Sequence, residues 1–221
     1  MAKRKVSNPL ALAVLGLLCE KPMHPYEMSA TLRERAKELS IKLNYGSLYS
    51  VVEALLRHGL VEVHDVVREG RRPERTVYAV TDPGRTEYVD WLSELIAVPV
   101  KEYTQFEAAL SLLASLPPDD VLKLLKVRRT RLEAEVTGTE AIMEGMAKQG
   151  FPYLFAIESD YVVALRRAEL AFVDRLVRQL EDGTLEGVDV WRRAHETGEL
   201  PSEQDWLRAA GGSWPWEVPS E

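Results

Sequence analysis

The sequence predicts a mainly α-helical protein whose N-terminal part combines three helices with a β-hairpin and whose C-terminal part is helical. Three observations predict this fold class. Apolar residues recur every three or four positions up to residue 57, they alternate with polar residues between residues 60 and 80, and a helical period then returns. With 46% hydrophobic and 29% charged residues among 221, the chain can bury one large core or two small ones.

The first predicted helix covers residues 8–19. Asn8 is a suitable N-cap, and Pro9 suits the first helical position because its missing N–H would have no partner there. Lys21 and Pro22 end the helix. The positions predicted to face the core are Leu10, Val14, Leu17 and Leu18.

Two more helices follow. Pro25 opens the second, in which the apolar residues Met28, Leu32 and Ala36 recur every four positions. The third lies in LNYGSLYSVVEALLRHGL (43–60), where Asn44 can cap it, Gly59 can end it, and Leu48, Val52, Leu55 and Leu56 line one face. Its first turn is built from small hydroxyls, a glycine and tyrosines, which are not strong helix formers. One explanation is that this turn lies against something other than its own protein.

The alternating segments LVEVHDVVR (60–68) and ERTVYAV (74–80) read as strands, and the turn EGRRP (69–73) joins them into an antiparallel hairpin. A further helix starts at Thr81. Three helices followed by a hairpin is the order of a winged helix-turn-helix, which we assign to residues 1–98. The third helix would be the recognition helix, whose N-terminal residues reach base edges in DNA, and EGRRP would be the tip of the wing.

Pro99 marks the predicted start of a helical dimerisation domain, residues 99–183, in which Asp119 can cap a long helix. Residues 153–182 carry an apolar stripe that is broader than a coiled-coil seam, and a second copy of the chain is the usual partner for such a face. The predicted dimerisation residues are Tyr161, Leu165, Phe172, Leu176 and Leu180. Residues 184–221 form a C-terminal tail rich in Trp and Pro. We expect part of it to dock on the body, because a wholly disordered tail rarely carries several tryptophans.

The net charge of −7 hides an asymmetry along the chain. Residues 1–80 hold 13 Lys and Arg against 9 Asp and Glu, a balance of +4, whereas residues 81–221 hold 15 against 26, a balance of −11. This asymmetry predicts a basic N-terminal part and an acidic C-terminal part. Nucleic-acid binding is therefore compatible with the negative net charge of the whole chain.

The sequence offers little support for an enzyme or a metal protein. The four histidines are scattered, and HExxH, P-loop, GxGxxG and GxSxG patterns are lacking, so we expect no catalytic residue, metal or cofactor. The lone Cys19 excludes an intrachain disulfide and favours a reducing, cytoplasmic setting. Its apolar run follows Lys3, Arg4 and Lys5, as in a signal peptide, but it is too short to span a bilayer, and we expect no membrane contact.

Three segments in order resemble the PadR family of bacterial transcriptional regulators: LAVLGLLCEKPMHPYEM (12–28), YGSLYSVVEALLRHGLVE (45–62) and REGRRPERTVYAVTDPGR (68–85). The resemblance implies DNA binding by the winged domain, a dimer held by C-terminal helices, and often repression relieved by a small aromatic or cationic molecule. Two departures fall where bases would be read. Asn44-Tyr45 replaces the more usual Ser-Pro, and Ser50 replaces a proline, so the operator sequence does not carry over.

The candidate DNA-binding residues combine the start of the third helix with nearby cations. They are Tyr26, Lys42, Asn44, Tyr45, Gly46, Ser47, Tyr49, Ser50, Arg57, Arg71, Arg72 and Arg75. Ser47, Tyr49 and Ser50 would approach base edges, and the lysine and arginines would neutralise phosphates. Alternatives remain at single residues: the ring of Tyr49 or Tyr26 could pack on a neighbouring helix, and any one cation could be an ordinary solvated charge.

Two functional hypotheses follow. The first is a homodimeric repressor that binds an inverted repeat of double-stranded DNA, with half-sites about 34–36 Å apart, and is released by an effector. The second is a winged-helix adaptor that docks on protein without specific DNA binding. The arginines around the wing favour the first hypothesis. Aromatic residues that could line an effector pocket are Phe151, Tyr153, Phe155, Tyr161 and Trp191, although each is more often simply core.

Overall fold

The computed structural model describes residues 6–67 and 75–209. The chain divides into two compact units, Met1–Lys101 and Glu102–Glu221, so the division falls three residues after the predicted boundary at residue 98. The predicted fold class is confirmed, since the described residues are mainly helical and add one two-stranded antiparallel hairpin.

The first unit follows the predicted order of elements. These are α1 (Pro9–Glu20), α2 (Pro25–Glu34), a 3₁₀ turn (Lys37–Leu39), α3 (Tyr45–Arg57), β1 (Val61–Val67), β2 (Arg75–Val80) and α4 (Asp82–Ala97). Both helix caps predicted in this unit are confirmed. The Oδ1 atom of Asn8 accepts from the backbone N–H of Leu10 at 2.9 Å, and that of Asn44 accepts from Ser47 at 2.7 Å.

The core of this unit is centred on α1, which is apolar on most of its circumference. Leu10, Val14 and Leu15 are fully buried and pack in one cluster with Leu48 and Leu55 of α3. A helix buried on several sides is favoured by the continuous apolar run 10–19. The run is therefore a core helix, as predicted, and none of the described helices is long and apolar enough to cross a membrane.

The second helix ends earlier than its apolar spacing predicts. Ala36, predicted to continue the stripe, lies beyond α2 with φ of +53°, in the left-handed region. The prediction for Ala36 is wrong because a left-handed residue cannot continue a right-handed helix. Just before it, the guanidinium of Arg35 forms a forked ion pair with Glu20 of α1, at 2.5 and 2.8 Å, which joins the end of α2 to the end of α1.

The hairpin pairs Val61 with Val80 and Val67 with Arg75, with a bulge after Val63. Its connection, residues 68–74, lies outside the described residues, and the predicted wing tip with Arg71 and Arg72 lies there. A feature that the sequence did not predict is a bridge from the α1–α2 loop. Met23 and Tyr78 exchange two backbone hydrogen bonds of 3.0 Å, which fix the base of the hairpin to the helices.

The second unit is helical throughout its described residues. It contains α5 (Gln105–Ser111), α6 (Pro118–Lys148), α7 (Ile157–Glu181), α8 (Val188–Thr197) and α9 (Glu203–Ala209), with 3₁₀ turns at Leu113–Ser115 and Tyr153–Phe155. Asp119 does not cap α6, contrary to prediction. Pro117 takes the cap position and Pro118 the first turn, so the carboxylate of Asp119 lies inside that turn.

The long helices α6 and α7 lie antiparallel and are joined by ion pairs along their length. Arg128 pairs with Glu169, Arg129 with Asp174 and Lys126 with Glu181 at one end, and Arg167 pairs with Glu140 towards the other. The exposed pairs among them contribute little alone, and the Arg128–Glu169 pair is partly buried. Between these pairs, Val121, Leu125 and Leu132 of α6 pack with Val173, Leu176 and Val177 of α7 in one core.

The predicted dimerisation stripe is not one continuous exposed face. Leu176 and Leu180 are buried in the core that α7 forms with α6 and α8, and Phe172 is half-buried against Phe106. Tyr161 and Leu165 are 64% and 52% exposed. Packing within the chain therefore occupies the C-terminal half of the stripe and leaves its N-terminal half open.

The predicted tail begins inside this core rather than outside it. Trp191 is 6% exposed, and its Nε1–H donates to the backbone oxygen of Leu116 at 2.9 Å. Trp206 of α9 packs against the same core, in agreement with the expectation that part of the tail docks. Trp214 and Trp216 lie outside the described residues.

Candidate nucleic-acid interface

The first turn of α3 is polar, and the apolar face of the same helix is buried against α1. Leu48, Val52 and Leu55 are at most 1% exposed, because they pack against α1 in the core of the first unit. Tyr49 and Ser50 lie between these anchors and face outward. The anchoring fixes the direction of the outward side chains, as a recognition helix requires.

The hydroxyls at this helix start have different environments. Ser47 is half-buried, and its N–H is used by the Asn44 cap. Ser50 is exposed, and its Oγ donates to the backbone oxygen of Gly46 at 3.0 Å, which leaves the oxygen free to accept. Tyr49 is 44% exposed, so packing covers only part of its side chain. Tyr45 starts the helix, but its side chain lies outside the described residues.

The described candidate cations lie on three different segments of the first unit. Lys42 is exposed in the segment before α3, and Arg75 is exposed at the start of β2. Arg57 lies in the last turn of α3, about 15 Å along the axis from Ser47, so it could reach only a phosphate well away from the bases near the first turn. Arg71 and Arg72 lie outside the described residues.

The first turn of α2 carries a titratable cap that sequence reasoning did not single out. The Nδ1 atom of His24 accepts from the backbone N–H of Tyr26 at 3.0 Å, and Tyr26 is 59% exposed. Burial lowers the pKa of His24 below its ordinary value of 6.5, and the charge of Arg75 lowers it further, while Glu27 opposes both. The spacing His-Pro-Tyr, with proline at the first helical position, is the signal that could have found this cap.

We expect the stability of the first unit to depend on His24 in mildly acidic solution. Its folded pKa is lowered, so the unfolded chain binds the proton more readily. The contribution of neutral His24 is complete above pH 6.5, declines as pH falls below that value, and levels off below the folded pKa. His24→Asn retains a cap acceptor without titrating, so urea midpoints of the two proteins should diverge between pH 7 and mildly acidic pH. Parallel pH profiles would contradict this role.

The order of three helices and a hairpin, with a polar start on the third helix, falls within a segment that matches a known family. Residues 14–90, from α1 into α4, match the model of the transcriptional regulator PadR-like family. The first unit is therefore similar to the PadR-like family. Members of that family are transcriptional regulators.

Relatives and solved structures extend this likeness beyond the PadR-like segment. The negative transcriptional regulator PadR of Bacillus subtilis (strain 168) is 20% identical over 147 residues, which cover 66% of this chain and 80% of the relative. The crystal structure of B. subtilis PadR in complex with operator DNA matches with a TM-score of 0.62, at 16% identity, over 78% of this chain and 99% of that chain. Its complex with p-coumaric acid matches with a TM-score of 0.61, also at 16% identity, over 78% and 98%. At this identity the structural matches establish the fold.

Proposed function

We propose that this PadR-like regulator binds double-stranded DNA through the first turn of α3. The main support is the difference in burial between the two faces of α3. Its fully buried leucines fix the helix, and Tyr49 and Ser50 are exposed on the outward face. The positive balance of residues 1–80 supports it, because phosphate contacts supply most of the affinity for DNA. The relative solved with operator DNA has the same fold.

The test is fluorescence-anisotropy binding of the purified chain to the DNA upstream of its own gene, at several salt concentrations. We expect binding that exceeds that to a scrambled duplex and falls steeply with salt. Equal binding to both duplexes would place the operator elsewhere. If no duplex were bound in a salt-sensitive way, the protein-docking adaptor would replace this proposal.

We propose that the wing adds phosphate contacts through Arg71 and Arg72. Replacing both with alanine should weaken binding to every duplex and reduce the slope of log affinity against log salt by roughly 0.9 for each phosphate that is no longer neutralised. The charge-matched control is Lys148→Ala with Arg178→Ala, both exposed in the second unit. An unchanged slope in the wing variant would remove the wing from the interface.

We propose that the regulator acts as a homodimer, which would place two recognition helices about 34–36 Å apart on an inverted repeat. The exposed half of the α7 stripe, Tyr161 and Leu165 with Val162, supports this, since large apolar side chains in a row favour a partner. Tyr161→Asp with Leu165→Asp should give a folded monomer by light scattering. The control Arg178→Asp places a carboxylate at an exposed position near the far end of the same helix and should stay dimeric. A dimer that survived the double substitution would exclude this face from association.

We propose that DNA binding represses transcription and that a small molecule relieves it. The name of the B. subtilis relative, a negative regulator, and its complex with p-coumaric acid support both parts. Any effector can act only through a difference in its affinity for the DNA-binding and released states. A reporter gene placed behind the bound operator should be expressed more strongly when this chain is deleted, whereas weaker expression would make the protein an activator.

A further inference from the structure

A groove of about 600 Å³ lies in the second unit, beside α8 and α9. Residues of these two helices, of the segment between them and of the 3₁₀ turn after α5 line it. Trp191 and Trp206 form part of the lining, together with Leu200 and Pro201. Leu200 is 95% exposed, so the described part of the chain leaves this wall of the groove open. The groove therefore offers aromatic and apolar surface to a further segment.

Hydrogen bonds hold both tryptophans of the groove in place. Trp191 is buried, and its Nε1–H donates to the backbone oxygen of Leu116. At the start of α9, the backbone N–H of Ser202 donates to the carboxylate of Asp205 at 2.9 Å, and the N–H of Asp205 donates to the hydroxyl of Ser202 at 3.3 Å. This reciprocal cap fixes the start of the helix that carries Trp206. The walls of the groove are therefore formed before anything binds there.

The lining of the groove carries little charge. Among the described residues that line it, His195 and Glu199 are the titratable ones. The Nε2–H of His195 donates to the backbone oxygen of Ala114 at 2.9 Å. Because this described lining has one carboxylate and no lysine or arginine, it disfavours an anion. Grooves lined by aromatic side chains are, in contrast, recurrent binding sites for proline-containing segments.

We infer that this groove binds the chain's own segment Trp214-Pro215-Trp216, which lies outside the described residues. The segment is uncharged and supplies two aromatic rings on either side of a proline. Aromatic rings pack favourably on one another, and proline biases the residue before it towards an extended conformation that can lie along a groove. The inference concerns the second unit alone and does not depend on DNA binding.

The length of the chain allows this segment to reach the groove. Trp206, which lines the groove, lies in the last turn of α9, and α9 ends at Ala209. The five steps from Ala209 to Trp214 can span up to about 17 Å of extended chain. Attachment through so short a linker gives the segment an effective concentration on the order of millimolar. A segment of the same chain therefore has an advantage over the same segment of a second copy.

The experiment is fluorine NMR of the full chain labelled with fluorotryptophan, without DNA. Trp214→Phe and Trp216→Phe identify the two resonances of the segment, and a labelled synthetic peptide of residues 210–221 gives their positions when the segment is unbound. We expect the two resonances of the full chain to be shifted away from those of the peptide, because the rings would pack against other indoles. Coincidence of both resonances with those of the peptide would overturn the inference.

Leu200→Glu locates the site, because this exposed side chain lines the groove and its replacement should not disturb the fold. It should return the resonances of Trp214 and Trp216 to the positions of the peptide and leave that of the buried Trp91 unchanged. The matched control is Leu39→Glu, since Leu39 is 81% exposed in the first unit. Segment resonances that did not respond to Leu200→Glu, or that responded equally to Leu39→Glu, would exclude this groove.

A mixing experiment separates binding within one chain from binding between copies. Labelled Leu200→Glu protein is combined with an equal amount of unlabelled protein that carries Trp214→Ala and Trp216→Ala. We expect the labelled segment to keep the resonance positions of the peptide, since the groove of its own chain is altered. If its resonances moved back to the bound positions, the segment would occupy the groove of a second copy, and the inferred binding within one chain would be wrong.

Discussion

Gly84→Ala is expected to destabilise the first unit by about 3 kcal/mol or more. A Cβ at Gly84 would lie 1.9 Å from the backbone oxygen of Leu60 and 2.8 Å from Cγ2 of Val80. The nearest of these atoms belongs to the backbone and cannot rotate away. That oxygen also accepts the N–H of Thr81 at 3.1 Å, so moving it would disturb the junction between the hairpin and α4.

The measurement is urea denaturation followed by circular dichroism, with Gly138→Ala as the matched control. Gly138 lies inside α6, and a Cβ there meets nothing within 4 Å. The control should gain about 0.5–1 kcal/mol, because alanine favours a helix interior more than glycine does. A destabilisation of less than about 1 kcal/mol in Gly84→Ala would mean that α4 can move away from Leu60 at low cost, contrary to the tight packing of this junction.

Ser50→Glu is expected to weaken DNA binding by about two orders of magnitude, if α3 is the recognition helix as proposed. The substitution places a carboxylate on the outward face of α3, where the phosphates and base edges of DNA would lie. Like charges brought together at an interface cost several kcal/mol. The side chain is exposed, so the fold should tolerate the change.

The control is Ser93→Glu, which adds the same charge to an exposed position of α4 in the same unit. Anisotropy titrations of both variants against one duplex separate a local effect from the change in net charge. A parent-like affinity for Ser50→Glu would show that α3 does not face DNA. A similarly large reduction in both variants would attribute the effect to the overall charge of the unit.

The elements predicted best from sequence are those set by neighbouring residues. Asn8 and Asn44 cap their helices with bonds to residues two and three positions away, and the proline positions and alternating strands act over similarly short distances. Most of the buried face of α3 could also be predicted, because Leu48, Val52 and Leu55 follow the helical period. Leu56, predicted on the same face, is 37% exposed, so that part of the prediction is wrong. The first turn of α3 differs from this apolar pattern because its residues are polar, and this difference identified it as a candidate interface.

The sequence by itself determined the order of the helices and the hairpin, the caps in the first unit, and the candidate interface on α3. Each of these features depends on residues that are a few positions apart in the chain. Long-range packing settled three further features: α2 stops before Ala36, Met23 bridges to Tyr78, and Gly84 touches Leu60. It also divided the α7 stripe by burying Leu176 and Leu180 within the chain. An apolar period specifies that a face must be covered, but which distant segment covers it depends on how the whole chain packs.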